Sequence, residues 1–267
     1  MLRGCMASLT DICTPRPVGD RYLLDVAAGW RQGRGVFGGL VVGALIEAIE
    51  HRVGDPDRKV RSVTAELPGP VEPGTAEIAV EPLRQGKNVS TLRAALSQHG
   101  EIRSHAVAIL GASRARSAAL GWNELAPPDV APWRAIEPLP GRGVEFAEHF
   151  EYRLVEGTPL SGKAARVVGW IRPREPGPRR GAAFIAAVID AWWPAAFNRL
   201  TALRPMATIA FTLDIMGNLD GLDPEAPLLH RATSPVCADG YFLETRELWG
   251  EDGRLVAINH QTFAIIQ

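Results

Sequence analysis

The chain has 267 residues, 46% of them hydrophobic and 22% charged, with a formal net charge of −1. That length suits one large domain or two ordinary ones, and the balance is that of a folded globular protein. Near-zero charge, with arginines and acids interspersed, argues against nucleic acid or an anionic membrane surface as partner, and no apolar run approaches the ~18 residues of a membrane span.

The opening, "MLRGCMASLTDICTPRPVGD", lacks an apolar core long enough for a signal peptide, so a cytoplasmic protein is expected. Cys5, Cys13 and Cys237 are odd in number and match no metal spacing, so they read as free thiols. The first motif is "GRGVFGG" (33–39), with the dinucleotide-binding spacing at Gly33, Gly35 and Gly38. Asp55 and Asp57 even lie about 20 residues on, where a ribose ligand belongs. The stretch that follows, "GGLVVGALIEAIEHRV" (38–53), carries Val41, Ala44, Leu45, Ala48 and Ile49 at helical spacing. A dinucleotide fold would now alternate strand and helix. Instead come "KVRSVTAEL", "TAEIAVEPL", "NVSTLRAALSQ" and "IRSHAVAIL", four strand-like segments joined by short turns. Such turns suit antiparallel pairing and leave no room for crossover helices, so the nucleotide reading gives way.

A Pro-rich stretch, "APPDVAPWRAIEPLPGRG" (126–143), reads as a linker. Beyond it the pattern restarts. "GAAFIAAVIDAWWPAAF" (181–197) is a second apolar helix, opened by glycine and ended near Pro194. Then come "MATIAFTLDI", "APLLHRATS", "YFLETRELW" and "RLVAINHQTFAII", again strands without helices. Gly38 precedes Glu47 by nine positions, as Gly181 precedes Asp190. "SQHGEIRS" corresponds to "WGEDGRLV", where Asp252-Gly253 signals a two-residue turn. The chain reads as one α+β unit used twice: residues 1–115 and 144–267, joined by 116–143.

A long helix wrapped by a curved antiparallel sheet is the hot-dog arrangement, and the chain resembles the double hot-dog acyl-CoA thioesterases of the thioesterase II type. The resemblance lies in "GVFGGLVVGALIEA", "VRSVTAELPGPVEPG" and "VEPLRQGKNVSTLRAAL" of the first unit, and in "AAVIDAW", "MATIAFTLDI" and "DGRLVAINHQT" of the second. It covers roughly residues 20–115 and 145–267. Three positions match those the family uses for hydrolysis: the helix acid Asp190, the strand threonine Thr208 and the last-strand glutamine Gln261. The resemblance implies a water held by these side chains and directed at an acyl thioester, with no metal or redox cofactor. At the matching places of the first unit stand Glu47, Ser62 and His105, either a second site or a decayed one, and decay is the expectation.

The residues can be read without the family. Asp190 is the only ionisable group in "FIAAVIDAWW", and a carboxylate there must be paired, hydrogen-bonded or functional, because uncompensated burial costs several kcal/mol. It can be a structural acid or a general base. Thr208 shares its alternating face with Ala210 and Thr212, so Thr212 competes for the same role. Gln261 can accept from water and donate to a carbonyl without titrating, and His260 and Thr262 face the other side of its strand. Gly38 and Gly39 open a helix whose unpaired N–H groups suit a developing oxyanion, and the resemblance implies that they face Asp190 across a pseudo-two-fold. No G-x-S-x-G occurs, and the six histidines form no ligand pair. Trp192 and Trp193 read as helix packing, and "RPREPGPRR" (172–180) as solvated charge or a coenzyme A phosphate contact.

The expected protein is a cytoplasmic acyl-CoA thioesterase of fatty acid metabolism, assembled as a homodimer or higher oligomer by sheet edges or faces. A hot-dog hydratase or dehydratase is one alternative, though the Asp-x4-His pair usual there is missing. A non-catalytic acyl-CoA-binding protein of the same fold is the other.

Overall fold

The computed structural model describes residues 7–114, 121–141, 143–217 and 219–266. Cys5, residues 116–120 and residue 142 lie outside that range. The apolar stretch after the glycine motif forms α2 (Gly38–Val53), preceded by the short α1 (Leu9–Cys13); the second apolar stretch forms α3 (Ala182–Asp190). The strands are β1 (Arg16–Val18), β2 (Arg21–Val26), β3 (Arg31–Gln32), β4 (Gly35–Val36), β5 (Lys59–Glu66), β6 (Gly74–Gln85), β7 (Val89–Gln98) and β8 (Glu101–Gly111) before the Pro-rich segment, then β9 (Phe150–Glu156), β10 (Arg166–Pro173), β11 (Met206–Asp214), β12 (Leu228–Ala238), β13 (Tyr241–Trp249) and β14 (Leu255–Ile265).

Helix α3 is shorter than the predicted 181–197. Trp193 precedes Pro194, whose ring disfavours helical backbone at the residue before it, and the chain leaves the helix at Ala191. A single 3-10 turn, Ala195–Asn198, follows. Trp192 then packs its ring against the bare backbone of Gly169 in β10, where a Cβ would stand 2.5 Å from the indole.

Twelve strands form one antiparallel sheet in the order β1-β2-β6-β7-β8-β5-β11-β14-β13-β12-β10-β9, with β3 and β4 as a separate small hairpin. The two strands that meet in the middle, β5 and β11, are each the first strand after a long helix, and Thr64 lies opposite Thr212 at their junction. The β7–β8 connection is a two-residue turn at His99-Gly100, both at positive φ, as the favoured hairpin turns require. Asp252-Gly253 does not make such a turn. Trp249 pairs with Leu255, so the loop has five residues, and Gly253 serves at φ +76° with its N–H bonded to the Gly250 carbonyl at 3.0 Å.

Strand alternation puts Val63, Ala65, Leu92, Ala94, Ala106 and Ala108 on the buried face, where the helices lie. The helices touch through small residues. A Cβ on Gly39 would stand 2.9 Å from the Ala187 Cα, and one on Gly43 3.2 Å from the Ala183 carbonyl oxygen. These contacts run in opposite directions along the two helices, so α2 and α3 are antiparallel. The carboxyl end of α3 is thereby brought to the amino end of α2.

The Pro-rich segment is a docked strap rather than a free linker. Trp133 packs with Val168, Trp170, Leu229 and Trp249 in a cluster separate from the main core. The Trp170 indole donates to the Ala131 carbonyl at 3.0 Å, and the Arg153 guanidinium covers the Trp133 ring at 4.1 Å. Cys13 is a buried and Cys237 an exposed free thiol. Among the described residues no helix is long and apolar enough to cross a membrane.

Candidate hydrolytic site

Asp190 closes α3, where the last carbonyls of the helix need donors and the helix dipole is negative, an unfavourable place for a carboxylate. Arg246 on β13 answers both needs. Its Nη1 donates to the carbonyls of Ile189 (3.1 Å) and Asp190 (3.0 Å), and lies 3.4 Å from Asp190 Oδ1. The Ala191 carbonyl accepts from the Tyr152 hydroxyl at 2.9 Å. On the facing helix, Phe37 at the start of α2 offers no capping side chain. The Asp190 carboxylate takes that place and accepts the Gly39 N–H. Its Oδ2 lies so near Gly38 that a Cβ there would meet it at 3.2 Å.

Gln261 on β14 stands opposite Glu244 on β13 and points to the buried face. Its Nε2 donates to Asp190 Oδ1 at 2.8 Å and to Asn259 Oδ1 at 2.9 Å. Its Oε1 accepts from Thr208 Oγ1 at 2.9 Å. Thr208, Gln261 and Asp190 therefore form one connected chain, with the Gly38–Gly39 end of α2 beside it.

Thr208 reaches this chain because of a β-bulge. The β11–β14 register shifts between Thr208, which pairs with Phe263, and Ala210, which pairs with Thr262. A bulge inserts one residue and reverses the parity of the strand. Thr208 thus faces inward, whereas simple alternation would place it with Ala210 and Thr212. Thr212 lies on the other face, its Oγ1 3.5 Å from the His260 carbonyl. The bulge separates the two threonines that periodicity alone could not.

The electrostatics of the site follow from burial. Asp190 is 9% exposed and its carboxyl is pushed above the ordinary carboxylate range by desolvation, opposed by the Arg246 charge, then by the hydrogen bonds from Gln261 and Gly39. Glu244 is fully buried and is also pushed up by burial, opposed chiefly by Arg246. Its Oε1 accepts from Arg246 Nε at 2.7 Å and its Oε2 from the Ala195 N–H at 2.6 Å. Sequence reasoning missed Arg246, Glu244 and Asn259. One signal was available: Glu244 and Arg246 share strand parity with Phe242 and Leu248, so two opposite charges stand on the core face of β13.

The first-unit set does not assemble. Glu47 is on α2, paired with Arg179 at 3.6 Å. Ser62 and His105 lie on the outer face of the sheet, and the His105 ring pairs with Glu66 at 3.3 Å. The β5–β8 register shifts between Val60 and Ser62 as the β11–β14 register shifts between Thr208 and Ala210. Laid bulge on bulge, Val60 corresponds to Thr208 and Ser62 to Ala210. The ladders then match Ala108 with Gln261, and Leu92 and Ala94 with Glu244 and Arg246. Ser62 and His105 are therefore not the structural counterparts of Thr208 and Gln261, and the matching positions are apolar. A cavity of about 350 Å³ opens on that side at the start of α3, lined by Val60, Glu50, Lys59, Arg179 and Arg180 among others. Its cations are engaged: Lys59 with Asp220 at 3.1 Å, Arg179 with Glu47, and Arg180 with the Pro224 and Ala226 carbonyls. In the "RPREPGPRR" segment, Arg172 likewise pairs with Glu151 at 3.0 Å.

Residues 26–112 match the model of the acyl-CoA thioesterase N-terminal domain, and residues 125–265 that of the acyl-CoA thioesterase C-terminal domain. The chain belongs to the acyl-CoA thioesterase family. Among solved structures it is similar to a conserved protein of unknown function with hot-dog fold from Alicyclobacillus acidocaldarius, at TM-score 0.87 and 22% identity over 97% of this chain and 98% of that one. It is also similar to a putative thioesterase II from Thermobifida fusca (0.82, 19%, 99% of each chain) and to an acyl-CoA thioesterase II from Mycobacterium marinum (0.77, 23%, 97% and 98%). These likenesses show the hot-dog fold. Comparison with curated proteins found no match.

Proposed function

We propose that the protein hydrolyses acyl-CoA to a free acid and coenzyme A, using one site built across two hot-dog units, residues 1–115 and 144–267, with 116–143 as their connection. The palindromic strand order and the matching bulges support two units. The observation that carries the activity is the connected chain Thr208–Gln261–Asp190 at the amino end of α2. A buried carboxylate with raised proton affinity is suited to take a proton from water at neutral pH. Asp190 acts as the base. Gln261 and Thr208 fix the position of the water. As it attacks the thioester carbon, the carbonyl oxygen becomes negative and the Gly38 N–H at the positive end of α2 stabilises it. The Gly39 N–H, which holds the Asp190 carboxylate, orients the base. The carbon–sulfur bond then breaks, the sulfur takes the proton that Asp190 accepted from water, and coenzyme A leaves as the thiol while the carboxylate is restored.

The test is release of free thiol from a series of acyl-CoA chain lengths by the wild-type chain and by Asp190→Asn. Hydrolysis by the first and its collapse in the second is the expected result. Binding of acyl-CoA without thiol release would make this an acyl-CoA-binding protein instead, and hydration of an enoyl-CoA would make it a hydratase.

A further inference from the structure

Glu244 and Arg246 form a buried ion pair directly beneath the proposed base, and both are at most 1% exposed. Capping the end of α3 needs hydrogen-bond donors but no charge, and a buried pair is weak evidence for stability in itself. The pair therefore calls for a reason in the chemistry. A guanidinium alone beside Asp190 would hold its carboxylate so firmly ionised that it would be a poor acceptor of a proton. Glu244 grips the same guanidinium through Nε while Asp190 meets it through Nη1, so two carboxylates share one positive charge.

We propose that Glu244 and Arg246 are positioning residues that set the pH at which Asp190 can act: Arg246 fixes the carboxylate and favours its charge, and Glu244 tempers that hold. The inference rests on the hydrolase reading above. The groups facing Asp190 are few. Arg246 and Glu244 come from β13, the neutral amides of Gln261 and Asn259 from β14, the Thr208 hydroxyl from β11, and the Gly39 N–H from α2. His230 of β12, fully buried, has its basicity depressed by burial and by Arg246, and it stays neutral. Among the described residues Arg246 is thus the one cation that acts on the base. The Asp190 charge repels Glu244 and raises its proton affinity, and repulsion between like charges acts on both partners.

The experiment is the pH profile of kcat/KM for an acyl-CoA in the full-length chain, with Glu244→Gln, Arg246→Lys and the apolar double variant Glu244→Leu/Arg246→Met. A parallel carbon-detected NMR titration follows the Asp190 carboxyl, assigned by its loss in Asp190→Asn. Glu244→Gln leaves Arg246 to act on Asp190 alone, so the acid limb moves to lower pH. Arg246→Lys keeps the charge and holds the limb near that of wild type, with a lower kcat. The double variant removes the cation and moves the limb to higher pH by about one pH unit or more. It fills the buried volume with apolar side chains, so the test survives if Glu244→Gln does not fold. Opposite shifts in Glu244→Gln and the double variant, matched by the NMR titration, support the proposal. Limbs that coincide in all folded variants would overturn it and leave the pair a structural brace. The carboxyl titration needs no turnover, so a wild-type chain without hydrolysis would sink the hydrolase reading while the charge-setting role is still decided.

Discussion

Gln261 Nε2 donates to Asp190 Oδ1 at 2.8 Å across 71 residues of chain, joining the last strand to the end of α3. Because the same amide also accepts from Thr208, its orientation is fixed at both ends and it holds the carboxylate in one rotamer. Asp190→Asn keeps the shape of that contact and removes the base. It should lower kcat by about 10²–10⁴ while acyl-CoA binding survives. Thiol release together with a binding titration checks both halves, and near-full hydrolysis would place the base elsewhere.

Thr208→Val and Gln261→Ala remove neutral positioning groups and should each cost less than Asp190→Asn. All three serve one water, so the effects should not add, and Asp190→Asn/Thr208→Val should be little worse than Asp190→Asn alone. Thr212→Val, on the outer face, should leave kcat unchanged, as should Glu47→Gln within a few-fold. Equal losses from Thr208→Val and Thr212→Val would show that the bulge does not select the threonine.

The helix and strand order was legible because patterns of period 3.6 and period 2 dominate these segments, and Asp190 stood out as a lone charge in an apolar helix. What the sequence hid is what crosses elements. A bulge at Ile209 changes no residue type yet reverses the parity of Thr208. Counterparts drawn from sequence spacing chose Ser62 and His105, because nothing in one dimension says which face a bulged strand presents. Arg246 caps a helix 56 residues earlier in the chain, a relation no local pattern encodes. The glycines serve separate ends: Gly33 turns the chain at φ +68°, Gly35 lies against Pro70, Gly38 leaves room for the Asp190 carboxylate, and Gly39, outside the dinucleotide-like spacing, permits the close helix–helix approach.

That approach makes a stability prediction. A Cβ on Gly39 would stand 2.6 Å from the Phe37 ring and 2.9 Å from the Ala187 Cα, so the helices or the ring must move. Gly39→Ala should destabilise by about 1–3 kcal/mol, as overpacking does. Gly181 caps α3 in open space at φ −83°, so Gly181→Ala meets no clash and should cost only the weaker N-cap, about 0.5–1 kcal/mol. Urea midpoints for the two variants decide it, and similar losses would mean the seam is not tight.

Assembly can be argued from the surface. One end of the sheet is β1, three exposed residues that include Pro17, and such a short, proline-bearing edge resists strand addition; the other end is the seven-residue β9. The outer face instead presents Ile109 and Leu243, both about 40% exposed, on strands well inside the sheet. We therefore expect a homodimer at least, formed by the sheet face or the β9 edge rather than by β1. Light scattering at micromolar concentration that shows only monomer would reject it.

The last prediction concerns Glu50, on α2 beside the cavity at the start of α3. Burial and the neighbouring Glu47 push its carboxyl up to about 7, opposed by Arg179 and Lys59. Its folded value thus lies above the unfolded one, near 4.5. Below the unfolded value both states carry the proton and the group costs the fold nothing. As pH rises from there toward 7, the unfolded chain releases its proton while the folded one retains it, so stability falls. Above about 7 the loss is complete, because the folded state must bury the charge. Glu50→Gln is neutral at every pH and escapes this loss. Its stability should match wild type near pH 4 and exceed it at pH 8, by about 1 kcal/mol or more, a Tm gap of roughly 2–4 °C per kcal/mol. Thermal melts at the two pH values measure the gap directly, and a difference that does not grow with pH would show that the fold does not raise the proton affinity of Glu50.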